Sequence, residues 1–261
     1  MFDFHMHSRV SFDGRASGME MALAAKKAGL KEICFTDHLD YDPTGRMQNI
    51  AFDTAVYNAE YDSLHVDGLT IRRGAEFGMT PDNQARFRAD LQRRPFDFVL
   101  GSVHFVDGMD VYFSEFFSGK TALQAQRRYL EATLECVRAQ EDYDVLAHLT
   151  YISKAGGNPD PRPIRYEDHR LLLDEILKTL AARGKGLELN TSGMDRCGDY
   201  LPPADFFTRF RELGGRIVTV GSDAHSPTRV GQYSREACAL LKDIFGYVCT
   251  FQGREPIFHT L

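Results

Sequence analysis

A set of histidines and acidic residues, spread over the whole chain, is suited to binding metal ions. Nearly every member ends or follows a short apolar run, and the members are His5, His7, His38, Glu76, His104, His148, Asp223 and His225. Imidazole and carboxylate groups without cysteine thiolates suit zinc, manganese or iron. When one β-prone run after another ends in such a side chain, the ligands are expected to converge at the carboxyl ends of barrel strands.

The spacing of two pairs within this set favours a single site. His5 and His7 are two residues apart, and Asp223 and His225 repeat that spacing near the other end of the chain. In an extended strand, residues two apart point to the same face. Because the first and last strands of a barrel are neighbours, these two pairs are expected to meet.

The elements that must position these residues alternate between β-prone runs and helical segments, as in a parallel α/β sheet. Strands are expected at Met1–His5, Glu32–Thr36, Leu69–Phe77, FDFVLGSVH, YDVLAH, Gly186–Asn190 and RIVTVGSD, with a terminal strand pair in YVCTF and EPIF. Helices are expected at Ser17–Ala28, Ala51–Leu64, Pro81 to about Arg94, Thr121–Gln140, Glu167–Ala182, Pro202 to about Leu213, and Gln232–Phe245.

The number of strand–helix units indicates the architecture. About seven units in one domain of this length favour a barrel. An open, doubly wound sheet is the alternative, and it would gather the site residues at one switch point rather than from every strand. The start of the first helix has a capping-box pattern, with Ser17 placed to cap the helix and Glu20 to reach back, and Gly29 is expected to end it.

Composition limits the possible functions. The chain has 261 residues, 43% of them hydrophobic, which suffices for the core of one domain spanning residues 1–261. The formal net charge of −6 disfavours a surface for long nucleic acids. An anionic substrate stays possible because bound cations would dominate the local field. Five cysteines without a C-x-x-C pair, no signal-peptide pattern and no membrane-length apolar run predict a cytoplasmic protein without a membrane partner.

An ordered series of short motifs carries a resemblance that covers nearly the whole chain. The motifs DFHMHS, FTDH, GAEF, GSVH, AHL and GSDAHSP resemble those of the PHP (polymerase and histidinol phosphatase) superfamily. Within it, PFDFVLGSVHF, LELNTSG, VGSDAHSP and YVCTFQGREPIF are most similar to the monofunctional histidinol-phosphate phosphatases. One short motif such as TDH would be weak evidence, whereas the ordered set is specific for the superfamily.

The resemblance implies a distorted (β/α)7, TIM-like barrel with two or three divalent metal ions (zinc, manganese or iron) at the carboxyl ends of the strands. By motif, three metal-binding groups are expected, with Glu76 bridging the first two: His5, His7, Glu76 and Asp223; Glu76, His104 and His148; and Asp13, His38 and His225. Asp13 departs from the commoner pattern, in which similar proteins often have a histidine. A harder aspartate ligand would alter metal preference or occupancy, and the alternative is a turn residue before Gly14.

The implied reaction is hydrolysis of a phosphate monoester by water that two close metal ions activate. Its catalytic residues are expected to be Glu76, Asp223 and His225. Three further residues on loops at the same end of the barrel are substrate-binding candidates: Lys154, Asn190 and Arg196. Solvated surface charges are the alternative for Lys154 and Arg196, and a structural loop cap for Asn190. Asp3 and Asp37 adjoin predicted ligands and are candidates for orienting imidazole rings.

The expected substrate is L-histidinol phosphate, a small-molecule phosphate monoester. The alternatives are a phosphoesterase of the same superfamily acting on a nucleotide, a short oligonucleotide or phosphotyrosine, and a non-catalytic metal-binding module. The last is least favoured, because every expected ligand position holds a competent residue. Asp107, Asp110 and Glu115, in the segment after His104, are candidates for facing a cationic amine or imidazole.

Overall fold

A mostly parallel sheet, nearly closed into a barrel, organises the chain. The structure is a computed structural model that describes residues 1–43, 45 and 50–261. Within these residues, seven parallel strands follow one another around the barrel: β1 (Phe2–Met6), β2 (Glu32–Phe35), β4 (Thr70–Gly78), β5 (Phe98–Ser102), β8 (Val145–Leu146), β9 (Gly186–Asn190) and β10 (Val218–Gly221). A short strand, β3 (His38–Leu39), also pairs in parallel with β4.

The barrel closes where β1 meets the segment that follows β10. Met6 forms a parallel bridge with Ala224. The Asp223 amide donates to the His5 carbonyl oxygen at 2.7 Å, and the His7 amide donates to the Ala224 carbonyl oxygen at 2.9 Å. The distorted barrel is therefore confirmed over the open sheet, and the two ligand pairs meet at its seam.

Helices lie between the strands. Those of the described chain are α1 (Gly18–Lys27), α2 (Thr54–Tyr61), α3 (Gln84–Arg93), α4 (Ala122–Ala139), α5 (Arg170–Ala182), α6 (Ala204–Glu212) and α7 (Ser234–Phe245). The predicted capping box is present at α1, where the Glu20 amide donates to Ser17 Oγ and the Ser17 amide to Glu20 Oε2. Gly29, with φ +76°, ends this helix as expected. None of the described helices is both long and apolar enough to cross a membrane.

Some elements are shorter than predicted. The strand expected in YDVLAH keeps only Val145–Leu146, because the backbone turns at His148, whose φ is +21°. The third helix begins at Gln84 rather than Pro81, since Asn83 holds the preceding turn through bonds to Thr80 N and Gly78 O. A 3-10 turn occupies the predicted start of α5 at Tyr166–His169.

Two antiparallel hairpins complete the fold. The predicted terminal pair forms β11 (Tyr247–Gln252) and β12 (Glu255–Thr260), and its turn is held by a bond of 2.5 Å from Arg254 Nε to Asp144 Oδ2. A smaller hairpin, β6 (Phe105–Val106) and β7 (Met109–Asp110), directly follows His104. This second hairpin stands at the end of the barrel where the predicted ligands lie.

Packing of helices on the strands holds the site residues in place. A hydrophobic cluster extends from Phe2 to Phe251. Within it, Phe77, the neighbour of Glu76 on β4, stacks on Phe87 of α3 with 3.6 Å between ring centroids. Both rings are fully buried, so each contributes roughly 1.5–3 kcal/mol by burial. The strand that carries Glu76 is thereby fixed against α3.

We expect Phe87→Ala to lower the free energy of unfolding by about 3–5 kcal/mol, because it removes this buried stacked ring and leaves a cavity. Chemical denaturation measures the change. Leu171→Ala is the control, since that side chain is 84% exposed and should change stability by no more than about 0.5 kcal/mol. Equal stabilities for the two variants would contradict the packing argument.

Candidate metal centre

All the side chains predicted to bind metals converge at the carboxyl ends of the strands. They come from β1 and the loop after it, from β3 and β4, and from the segments that follow β5, β8 and β10: His5, His7, Asp13, His38, Glu76, His104, His148, Asp223 and His225. Asp13 is partly exposed and His225 is half-buried, whereas most of the others are buried. The strand ends therefore concentrate these groups in one place.

Glu76 lies at the middle of the cluster. Its Oε2 atom is 3.3 Å from His5 Nε2 and 3.5 Å from His7 Nε2. Its Oε1 atom is 2.7 Å from His148 Nε2 and 3.3 Å from His104 Nε2. Oε2 also lies 3.1 Å from His38 Nδ1. The two oxygens of one carboxylate thus face different sets of imidazoles, as a bridging ligand requires.

Asp223 and Asp13 complete two of the groups. Asp223 Oδ1 is 3.3 Å from His7 Nε2 and 3.6 Å from His5 Nε2. Asp13 Oδ2 is 3.0 Å from His225 Nε2 and 3.5 Å from His38 Nε2. Although Asp13 precedes Gly14 in a turn, its carboxylate reaches the imidazoles of the third predicted group.

Several buried atoms of this cluster lie 3.0–3.5 Å from other ligand atoms but form no hydrogen bond of acceptable geometry. Among the described residues, His5 Nε2, His7 Nε2, Glu76 Oε2 and His225 Nε2 are buried in this way. Burying such atoms unpaired is costly, so they need a partner that a side chain does not supply. Sets such as His5, His7 and Asp223 place their ligand atoms within 4.8 Å of one another. This donor set fits divalent cations such as zinc.

The charges in the cluster keep its acids ionised. Burial by itself raises the pKa of Glu76, but neighbouring imidazoles, His5 first, hold it well below the usual range. Burial likewise opposes ionisation of Asp223, yet Lys154 and His5 hold its pKa well below normal. Ionised carboxylates at the centre therefore attract cations.

Burial and the neighbouring charges shift the pKa values of the imidazoles in opposite directions. Burial, followed by the charges of His225 and His38, lowers the pKa of His7 to about 3. Burial also disfavours the charged form of His104, but Asp40 and Glu76 raise its pKa to about 10. A neutral ring such as His7 offers its lone pair directly, whereas a metal ion must displace a proton from a ring such as His104.

Two acids that orient the imidazoles were missed by sequence reasoning. Asp40 Oδ1 is 2.8 Å from His104 Nδ1, and Asp40 Oδ2 is 3.1 Å from His38 Nδ1. Glu188 Oε1 is 2.6 Å from His5 Nδ1, and its other oxygen accepts from the His148 amide at 2.7 Å. The available signals were an acid two residues after His38 and a charged residue inside the apolar strand GLELN.

Asp3 and Asp37, expected to orient imidazoles, instead hold the backbone of nearby loops. Asp3 accepts from the Ser222 amide at 2.9 Å and from the Gly231 amide at 2.9 Å. Asp37 accepts from the Ser8 amide at 2.9 Å and from Ser11 Oγ at 2.9 Å. Only Asp37 reaches an imidazole, indirectly, because Ser11 Oγ is 3.0 Å from His7 Nδ1.

Of the three substrate-binding candidates, the structure brings Lys154 to the cleft beside the cluster. Its Nζ atom contacts Asp223 Oδ2 and donates to Ser192 Oγ at 2.7 Å. Asn190 is fully buried, and its Oδ1 atom accepts from the Ser192 amide at 3.0 Å. Asn190 therefore fixes the position of Ser192, which in turn accepts the hydrogen bond from Lys154.

Arg196 is not among the residues that line the cleft. It is exposed and donates to the Gly156 carbonyl oxygen at 3.1 Å, which fastens the loop that contains Lys154. Two further arginines that follow this loop, Arg162 and Arg165, are exposed and pair with neighbouring acids, Asp160 at 2.9 Å and Asp168 at 3.5 Å.

The cluster forms one side of a cleft of about 450 Å³. Apolar and aromatic side chains form much of the remaining wall, together with Asp110 and Lys154: Phe12, Ile50, Phe105, Tyr112, Phe113 and Tyr151. This volume suits a small molecule. A phosphate group could contact the cluster while its organic part lies against the aromatic wall.

Comparison with known proteins identifies the family. The family model of the PHP domain matches residues 3–192. A histidinol-phosphatase from Lactococcus lactis is 33% identical over 256 residues, which cover 96% of this chain and 94% of that protein. A probable histidinol-phosphatase from Thermotoga maritima is 29% identical over 93% of this chain and 91% of its own length.

Solved structures agree with this relationship. The crystal structure of the Lactococcus lactis histidinol phosphate phosphatase, complexed with zinc, L-histidinol and phosphate, matches with a TM-score of 0.85 and 31% identity over 98% of each chain. A Listeria monocytogenes structure with 20% identity and a TM-score of 0.72 supports the fold alone. This chain belongs to the PHP domain family, in its histidinol-phosphatase branch.

Proposed function

We propose that this chain is a metal-dependent phosphomonoester hydrolase that converts L-histidinol phosphate and water to L-histidinol and phosphate, a reaction of histidine biosynthesis. The observation that carries the proposal is the convergence of the predicted ligands around the Glu76 carboxylate, with buried ligand atoms left unpaired. The Lactococcus lactis relative, whose structure holds zinc, L-histidinol and phosphate, supports this substrate.

We assign two or three divalent ions to the cluster, with zinc favoured by the relative and manganese or iron as alternatives. The distances support the three groups predicted by motif: His5, His7, Glu76 and Asp223; Glu76, His104 and His148; and Asp13, His38 and His225. When bound, the ions would acidify water and offset negative charge on the phosphoryl oxygens.

The side chains of the protein have separate tasks in this reaction. Glu76, Asp223 and His225 would hold the ions that act on the phosphate, and Asp40 and Glu188 fix the orientation of the imidazoles. Lys154 is the substrate-binding residue that we retain, because its ammonium group lies on the cleft wall beside Asp223. There it can donate a charge-assisted hydrogen bond to a phosphoryl oxygen.

We assign the whole chain, residues 1–261, to one PHP domain in a cytoplasmic enzyme with a small-molecule substrate. The family model ends at residue 192, yet Asp223 and His225 lie beyond it and join the same cluster. The hydrophobic cluster also extends past that residue to Phe251. The net charge of −6 argues against long nucleic acids as partners.

Steady-state kinetics with a panel of phosphate monoesters tests the substrate. We expect kcat/KM for L-histidinol phosphate to exceed that for phosphotyrosine, a mononucleotide and a short oligonucleotide by about 100-fold or more, because a site shaped for one alcohol rejects others. Similar kcat/KM values across the panel would contradict L-histidinol phosphate as the specific substrate, but they would still agree with phosphomonoester hydrolysis.

Removal of metal tests the reaction chemistry. We expect activity to fall by about 1,000-fold after chelation, since bound ions supply several kcal/mol of charge stabilisation. Zinc, manganese and iron are then added back separately to identify the ion that restores activity. Full activity in protein shown by elemental analysis to contain no metal would rule out the mechanism.

Asp40→Asn tests how the imidazoles are oriented. We expect metal affinity to fall by about 10- to 100-fold, because His38 and His104 lose the carboxylate that holds their Nδ1 atoms. Competition with a chromophoric chelator measures the affinity. Asp67→Asn is the matched control, since Asp67 also contacts a histidine, at 2.9 Å, but its side chain is 94% exposed. Equal affinities in both variants would contradict the role of Asp40.

A further inference from the structure

We propose that Asp110 binds a cationic nitrogen group of the leaving alcohol and so determines which phosphate monoesters are good substrates. This inference rests on the proposed function and adds to it a recognition site for the organic part of the substrate. The ligand class is a phosphate monoester whose alcohol carries an ammonium or imidazolium group.

The position of Asp110 is fixed relative to the metal centre. It ends β7 in the hairpin that begins directly after His104, and it pairs with Phe105. The next residue, Val111, donates its amide to the His104 carbonyl oxygen at 2.9 Å. Asp110 lines the same cleft as the ligand cluster. Its carboxylate therefore lies in the cleft near His104 without belonging to the cluster.

The carboxylate of Asp110 has no cationic partner from Lys or Arg within ion-pair distance in the part of the chain that the structure describes. Its Oδ1 atom accepts from the Tyr112 amide at 2.8 Å, and burial raises its pKa. The charge of His104 offsets this effect only in part, so the half-buried carboxylate would gain from a cation supplied by a ligand.

The other acidic candidates are less suitable. Asp107 is exposed and already forms a bidentate pair with Arg128, at 2.7 and 2.9 Å. Glu115 is exposed and does not line the cleft. Asp13 and Asp40, which do line it, face imidazole rings of the cluster. Asp110 is thus the cleft acid best placed to serve an incoming cation.

The surroundings of Asp110 also suit a cationic or aromatic group. Phe105, Tyr112 and Phe113 come from the same segment and line the cleft, and the last two are 40% and 48% exposed. Aromatic faces of this kind attract ammonium and imidazolium groups.

Tyr151 lines the cleft together with Asp110 and Asp223. Burial raises its pKa well above normal, and the charges of Asp110 and Asp223 both add to this effect. Lys154, which contacts Asp223, and the ions that the cluster would hold would supply positive charge in this cleft, whereas Asp110 supplies negative charge. A molecule with a phosphate at one end and a cation at the other is complementary to both.

The test compares Asp110→Asn with Asp107→Asn, a matched change in the same hairpin. We expect kcat/KM for L-histidinol phosphate to fall about 10- to 100-fold in Asp110→Asn, the usual effect of losing a charged hydrogen bond. For p-nitrophenyl phosphate, whose alcohol is uncharged, kcat/KM should stay within about twofold of the wild type. Asp107→Asn should leave both substrates near wild-type values.

Product inhibition provides a second measurement. L-Histidinol should inhibit hydrolysis of p-nitrophenyl phosphate, and its inhibition constant should rise in Asp110→Asn by a similar factor. Equal losses on both substrates, or an unchanged inhibition constant in variants with a wild-type circular dichroism spectrum, would overturn the role of Asp110.

The failure of the proposed function can be recognised separately, in the wild-type enzyme. If L-histidinol phosphate is not preferred, the comparison of 2-aminoethyl phosphate with propyl phosphate still tests charge recognition. If the wild type prefers 2-aminoethyl phosphate and Asp110→Asn loses that preference, the role of Asp110 is supported even though L-histidinol phosphate is not the substrate. No preference for the amine in the wild type would overturn the inference as well.

Discussion

The structure depends on one buried carboxylate, that of Glu76. Its two oxygens face different sets of imidazoles, and the surrounding rings keep it ionised in spite of complete burial. The strand that carries Glu76, β4, packs against α3 through the stacked rings of Phe77 and Phe87. The core of the barrel therefore supplies the rigidity on which a metal cluster relies, because ligand atoms must be held within a few tenths of an ångström.

Much of the fold, and the convergence of the histidines and acids at the strand ends, was predictable because both follow local rules. Apolar runs ending in His or an acid mark the strand ends, and the two-residue spacing of His5 and His7 sets their common face. The capping box at Ser17 and the terminal hairpin are also local patterns. The shortness of β8 was not predictable, since it depends on the turn of the backbone at His148.

The contacts that sequence reasoning missed are those made across the barrel. Glu188 orients His5 across 183 positions of the chain, and Asp40 joins His38 to His104. Asn190 ends β9 and Arg196 lies in the loop after it, and in the structure they bond to the Ser192 amide and to the Gly156 carbonyl oxygen. Partner choice among polar side chains depends on three-dimensional proximity, which spacing along the chain does not encode.

The seam between the first and last strands has a consequence for synthesis of the protein. His5 and Asp223 are joined through their backbones, so β1 stays without one neighbour until the last strand has been made. A nascent chain that has emerged as far as residue 192 already contains every predicted ligand except Asp223 and His225. Such an intermediate would bind metal ions with an incomplete set of ligands. The cluster would be completed only when the barrel closes, either on the ribosome or after release.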